Sequence, residues 1–381
     1  YVILDDDGTE IPVSESASVL ASDDEVFIPS RGSETAPREG ENNYWTLPMD
    51  ITDEQAVWDM LMSPITVVDI GKNSSEKKQT YLYREPDENS LKVGVVTCES
   101  QGVRVIETLD NGWSLVECYS SSFHATKVEA WNILVSGYIK TSYLKEVKPN
   151  QELGIVVDKL TQRFYIFQDG KLLTTLLCST GLTMWNGSKY QPYNETRSGD
   201  FLIISVTTGA ITSDNLIGNY ALRYNADDYL HEVLHVKNAD GTKNFKSSEA
   251  KLGNRASHGC VRVQRLTNAD GYNMSKIYKE IQSTTKKTKT NVRMVIWEDY
   301  AGRQVNMPSD DLTVYYNPKG GQNYHSTDTC PGVRKTYLPL TAITYGQLST
   351  DFTNLTVCPY CQPVPRLQIL EAINEEHLSF S

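Results

Sequence analysis

The sequence has no uninterrupted apolar run of 18 residues, so no helix able to cross a bilayer is expected. A leader with a charged start and a short apolar core is also missing, and residue 1 is tyrosine rather than methionine. The chain is therefore expected to be the mature or trimmed form of an exported protein. Phenylalanine is scarce, 8 residues against 22 tyrosines, a bias toward amphipathic rings that suits wet saccharide or peptide surfaces. A basic excess is missing too. Net charge is −12, and residues 1–60 hold 15 acidic residues against two arginines, while the other 34 basic and 33 acidic residues nearly cancel. The acidity thus belongs to the N-terminal segment, and with no basic stripe, nucleic acid is excluded as a partner. What is present suffices for folded cores: 39% hydrophobic residues in 381, with room for two to four domains.

The chemistry concentrates at Ser257-His258-Gly259-Cys260-Val261-Arg262. A cysteine directly after a glycine, at the start of a short apolar strand, sits on a backbone that can turn tightly. Successive N–H groups near Gly259 and Cys260 can then converge on an oxyanion. A free cysteine is only a few per cent ionised at neutral pH and needs a base to act as a nucleophile. His235, 25 positions before Cys260 at the end of an expected strand Leu230–Val236, is the candidate base. His231 shares a face with it under two-residue alternation and is the rival. His258 is assigned to ordering the turn. The competing readings are a buried structural thiol and a metal site made of His231, His235, His258 and Cys260. Cys260 and His258 are only two positions apart on a tight turn, which disfavours the metal.

These residues closely resemble the active-site signature of the L,D-transpeptidases, an upstream histidine followed by Ser/Thr-His-Gly-Cys. Tyr220-Ala-Leu-Arg-Tyr224 before the histidine strand is similar to a run in family members. Thr196-Arg-Ser-Gly-Asp-Phe201 is similar to the family's Thr-Pro-x-Gly-x-Phe segment with the proline lost. The gap from His235 to Cys260 is longer than usual, and Val236 replaces the common Gly or Ser. The resemblance implies a largely β, sandwich-like catalytic domain over 150–300. It implies a cysteine acyl-enzyme on peptidoglycan stem peptides, no cofactor for the reaction, and inhibition by carbapenem-type β-lactams. Arg262 and Tyr224 are expected to face substrate, Arg262 by pairing with a stem carboxylate unless it only braces the loop. The polar stretch Val236–Gly253 is expected as a lid. The implied setting is the cell wall or surface of a bacterium, with a role in wall organisation and cell shape. Two alternatives stand beside transpeptidation. Water resolving the same acyl-enzyme would give an L,D-carboxypeptidase. A wall-binding protein with an idle cysteine is disfavoured by the intact signature.

The rest of the chain divides around this domain. Residues 1–42, rich in Ser, Asp, Glu, Gly and Pro, read as a flexible acidic tail. Residues 43–63 carry a short helix with Thr52 as cap and Gln55 closing a capping box, its apolar side resting on a neighbour. Residues 64–149 read as short strands, with Asp110-Asn-Gly-Trp113, Gly137-Tyr-Ile139 and Tyr143-Leu144 in an order similar to bacterial SH3-like domains. Such a module either binds wall material or acts as a rigid spacer. Cys98 and Cys118 are expected as two buried thiols rather than a disulfide. In the catalytic domain Asp169-Gly170 reads as a hairpin turn, and a helix is expected over Leu266–Ile281, capped by Thr267 or Asn268. Residues 312–365 carry His325-x4-Cys330 and Cys358-x2-Cys361, four ligands of the kind tetrahedral zinc prefers. The alternative is one disulfide plus a spare thiol. A zinc there would be structural, and catalysis should not depend on it. Residues 366–381 read as a short helix and a tail.

Overall fold

The computed structural model describes residues 49–71, 78–123, 126–182, 192–213, 215–284, 290–298 and 304–378, with the short strands Ile3–Leu4, Glu10–Ile11, Met184–Trp185 and Lys189–Tyr190. The expected acidic tail, apart from those first two strands, lies outside the described residues. The architecture is mainly β, as expected.

Its centre is a nine-stranded sheet. In spatial order the strands are Gly199–Ile203, Val292–Trp297, Leu153–Asp158, Arg163–Gln168, Lys171–Ser179, Val261–Val263, Asp228–Glu232, Leu222–Asn225 and Ser205–Val206. The two edge strands are consecutive in the chain, separated only by Ile204, so the sheet must curl back on itself around its core. The apolar run Phe201–Thr207 is therefore broken at the corner, after Ile203. Asp169 and Gly170 both take positive φ, +51° and +77°, the conformation that two-residue hairpin turns demand.

The central strands are buried on both faces, which is why Gly154–Val157 and Val292–Trp297 read as continuous apolar runs. Ile155, Val157, Met294 and Ile296 point to one core, shared with Tyr224, Val261, Val263 and the helix Met274–Ser283. Val156, Val295 and Trp297 point to the other, covered by the helix Glu54–Met62 through Val57 and Leu61. A Cβ on Gly154 would lie 2.7 Å from Leu61 Cδ1, so the missing side chain lets that helix sit directly on the strand. Its cap is Asp53, whose carboxylate accepts from Ala56 N at 3.1 Å; Thr52 instead hydrogen-bonds Asp50. Beyond the helix end, Arg293 donates to the carbonyls of Met60 and Ser63 and forks onto Asp200 at 2.8 and 2.7 Å, with both side chains fully buried.

Ahead of this sheet, residues 65–147 form a five-stranded antiparallel sheet and the pair Ile65–Val68 with Leu144–Val147. They share a core that includes the free, buried thiols of Cys98 and Cys118. This unit is pinned to the part built on the nine-stranded sheet by polar groups. Gly102 N donates to Asp200 O at 2.7 Å, and Asn132 Nδ2 donates to Glu298 Oε2 at 2.9 Å. Glu298 in turn pairs with buried Lys159, which also pairs with Glu195. The C-terminal part is a four-stranded sheet around Val314, Tyr324, Ile343, Tyr345 and Leu348, followed by the helix Leu367–Leu378.

Candidate active site

Cys260 stands at the entry of the strand Val261–Val263, on a turn held by hydrogen bonds from three directions. Ser257 Oγ donates to Cys260 O at 2.5 Å, and Gly259 N donates to Ser257 Oγ at 3.2 Å. Thr196 Oγ1 donates to Gly259 O at 2.7 Å and accepts from Gly181 N at 2.8 Å. Ala256 N and Ser257 N both donate to Thr180 O. Gly259 has φ +122°, and a Cβ there would fall 2.2 Å from Asp228 Oδ1; no other residue fits. Its N–H, expected as an oxyanion donor, is instead engaged by Ser257. His258 is exposed at the turn, and Cys260 is half-buried.

The register decides which histidine lies nearer the thiol. Asp228–Glu232 runs parallel to Val261–Val263, pairing Leu230 with Val261 and His231 with Arg262. Leu230, Val261 and Val263 point into the core. Alternation therefore puts Tyr229, His231, Cys260 and Arg262 on the opposite, shared face. Tyr229 N donates to Cys260 Sγ at 3.4 Å, so His231 is two residues along from the thiol on the neighbouring strand. Its Nδ1 lies 2.6 Å from Glu232 O. A carbonyl only accepts, so Nδ1 carries the hydrogen and Nε2 is left as the basic nitrogen.

His235 is elsewhere. The expected strand Leu230–Val236 leaves the sheet after Glu232, and His235 pairs with Ile217 instead. Its ring is 1% exposed and stacks on Phe245 at 4.8 Å. The charges that act on it are Lys243 and Lys237, whereas the charge that acts on His231 is Arg262, two residues from the nucleophile. The expected lid is a small hairpin, Val236–Lys237 with Lys243–Asn244, and one helical turn, Lys246–Glu249. It is fastened by Arg265 to Glu249 at 2.6 Å and by Ser179 Oγ to Lys251 O at 2.7 Å.

Arg262 Nη1 donates to Ala256 O at 2.9 Å, which braces the turn, and its charge favours the thiolate. Tyr224, expected to face substrate, is fully buried in the core behind the turn, where its hydroxyl donates to Gly259 O at 3.3 Å. Two residues escaped the sequence reading. Asp228 is buried against Gly259, and burial lifts its carboxyl to about 7. Arg197, at the position where the family has proline, is fully buried. Its guanidinium donates to Tyr193 O at 2.9 Å and to the carbonyls of Glu195 and Ser122, lies 4.3 Å over the Phe123 ring, and favours ionised Asp228. The N-terminal unit thereby touches the support of the nucleophile.

Burial, and then the field of Asp228, push the Cys260 thiol up to about 12, and burial pulls His231 down to about 4. Both groups therefore rest neutral, a thiol and an imidazole on the same sheet face. Removing the Asp228 charge should ease ionisation. Asp228→Asn is expected to move the pH midpoint of Cys260 alkylation by iodoacetamide downward. An unmoved or raised midpoint contradicts this placement of the carboxylate.

A second cluster lies in the C-terminal part, where the ligand atoms of His325, Cys330, Cys358 and Cys361 all fall within 4.8 Å of one another. The alternative cluster of His231, His235, His258 and Cys260 is not brought together: His235 lies off the strand and His258 is exposed.

A thiol on a fixed turn and an imidazole on the same sheet face are the groups that nucleophilic cysteine chemistry needs. Residues 152–292 match the model of the L,D-transpeptidase catalytic domain, the YkuD family. No curated protein matches the chain. Among solved structures, the L,D-transpeptidase from Mycobacterium smegmatis is 13% identical, with 62% of this chain and 92% of that one covered and a TM-score of 0.28. L,D-transpeptidase 3 from Mycobacterium tuberculosis, in complex with a faropenem-derived adduct, is 13% identical over 66% and 87%, with a TM-score of 0.27. The L,D-transpeptidase from Xylanimonas cellulosilytica is 15% identical with a TM-score of 0.26; the match covers 38% of this chain and 60% of that one. With TM-scores this low, the assignment rests on the segment 152–292.

Proposed function

We propose that this protein is a cysteine-dependent L,D-transpeptidase that cross-links peptidoglycan stem peptides at the surface of a bacterium. The observation that carries the reading is Cys260 on its braced turn, sharing a sheet face with His231. Cys260 Sγ attacks the carbonyl of the third residue of a donor stem and forms a thioester. His231 Nε2 takes the thiol proton and passes it to the departing amine of the terminal D-amino acid. The acceptor amine then attacks the thioester, and the same imidazole removes its proton. His231 takes the role first expected of His235. Arg262, beyond bracing the turn, lends positive charge to the thiolate. The backbone amide of Cys260, rather than the Gly259 N–H that Ser257 engages, is the proposed oxyanion donor.

The sheet unit at 65–147 is proposed to be SH3-like and to position the catalytic domain. Its buried polar contacts through Asn132 and Gly102 support a rigid attachment rather than a loose tether. Mass analysis of products from purified tetrapeptide stems tests the reading. A cross-linked dimer with loss of one terminal residue supports transpeptidation. Tripeptide alone assigns the carboxypeptidase, and unchanged stems sink both.

A further inference from the structure

We propose that His325, Cys330, Cys358 and Cys361 bind one zinc ion, and that this closed site sets the Cys358–Cys361 turn against the residue that follows the nucleophile's strand. Cys330 Sγ and Cys358 Sγ are 3.8 Å apart, and Cys361 Sγ and His325 Nδ1 are 3.6 Å apart. Tetrahedral zinc with its usual bonds to sulfur and nitrogen needs ligand–ligand edges of about 3.8 Å for S–S and about 3.6 Å for S–N. A disulfide would need about 2.05 Å, and all three thiols are free. The sulfur-rich donor set excludes the hard cations, which take oxygen.

The surroundings are built for thiolates. Gly332 N donates to Cys330 Sγ and Ser326 N to Cys361 Sγ, each at 3.3 Å; such outer contacts orient and stabilise metal-bound sulfur. The two cysteine turns close on themselves, Val333 N to Cys330 O and Gln362 N to Cys358 O, both at 3.0 Å. They also pack on each other: a Cβ on Gly332 would lie 2.5 Å from the Tyr360 ring. Cys330, Cys358 and His325 are buried. Only a few apolar side chains form the core of this small unit, a size at which a metal commonly supplements packing.

The same turn reaches the catalytic domain. Gln264, immediately after the strand Val261–Val263, donates through Nε2 to Pro359 O at 3.2 Å and accepts from Gln362 Nε2 at 2.5 Å. Tyr360 O accepts from Ala269 N at 3.2 Å. Gln264 Oε1 also accepts from Leu177 N, and its backbone carbonyl from Met274 N. A turn between two metal ligands therefore braces the sheet and the start of the helix Met274–Ser283 from outside.

The full chain, purified without chelator, should carry one zinc by metal analysis, with Cys330, Cys358 and Cys361 unreactive to N-ethylmaleimide until the metal is stripped. Refilling with Co(II) should give the visible absorption of a tetrahedral thiolate site, and Cys330→Ser should weaken or abolish it. The cobalt readout needs no variant, so a misfolded Cys330→Ser leaves the test intact. Failure to take up stoichiometric zinc or cobalt, or a mapped Cys330 disulfide to Cys358 or Cys361, overturns the site. On stripping, amide exchange should rise at 358–364 and at 264–269 together. A rise confined to 358–364 overturns the bracing role while leaving the metal site standing.

Discussion

Cys260→Ala is expected to form no covalent adduct with a carbapenem and to yield no cross-linked product from stem peptides. The thiol is the proposed nucleophile and alanine puts nothing in its place, so the loss should be complete. Folding should be nearly untouched. The turn is held by Ser257, Thr196 and Tyr224 through the backbone carbonyls of Cys260 and Gly259, and none of these bonds involves Sγ. Only the Tyr229 N contact to sulfur disappears. Intact-mass spectra and a thermal melt, run side by side, check both halves. An adduct on Cys260→Ala, or a collapse of the melting transition, contradicts the assignment.

The next largest effect is expected at His231. His231→Ala should slow acylation on the order of a hundredfold or more, the usual scale for losing a general base. His235→Ala should cost far less in rate, because that ring stacks on Phe245 beyond the end of the catalytic strand. Burial holds His231 near 4, so it stays neutral and proton-accepting from mildly acid pH upward. The acylation rate should show no rise through the ordinary histidine range around pH 6.5. Single-turnover rates with a chromogenic carbapenem, measured against pH, check this. Equal losses in the two variants, or a larger loss at His235, would put the base at the other ring.

The mainly β fold was legible because alternation and two-sided burial leave direct marks on sequence. The short apolar strand expected after Cys260 is Val261–Val263, and Val292–Trp297 is likewise an apolar stretch between polar turns. What failed were competitions between similar signals. Asn268 was read as a helix cap, but its carbonyl oxygen accepts from Asp270 N and Tyr272 N and closes a loop; the cap is Asn273, bonded to Lys276 N. Asn caps turns and helices with the same geometry, so the residue type alone cannot choose. The shared face of His231 and His235 was a correct inference for an unbroken strand. The strand breaks at Val233-Leu234, where two consecutive apolar residues are both buried, and that pair was the available warning. Asp228 and Arg197 left no periodic signal at all. Each is a charged residue buried by contacts distant in sequence, and only the fold brings Ser122 and Phe123 to Arg197.

The most direct measurement is peptide mapping of the wild-type protein quenched in acid during turnover of a tetrapeptide stem. The expected result is a tripeptide-stem thioester on the fragment containing Cys260, together with release of one equivalent of the terminal D-amino acid. The contradicting result is turnover with the adduct on another residue, or no adduct and no released amino acid under conditions where the fold is intact.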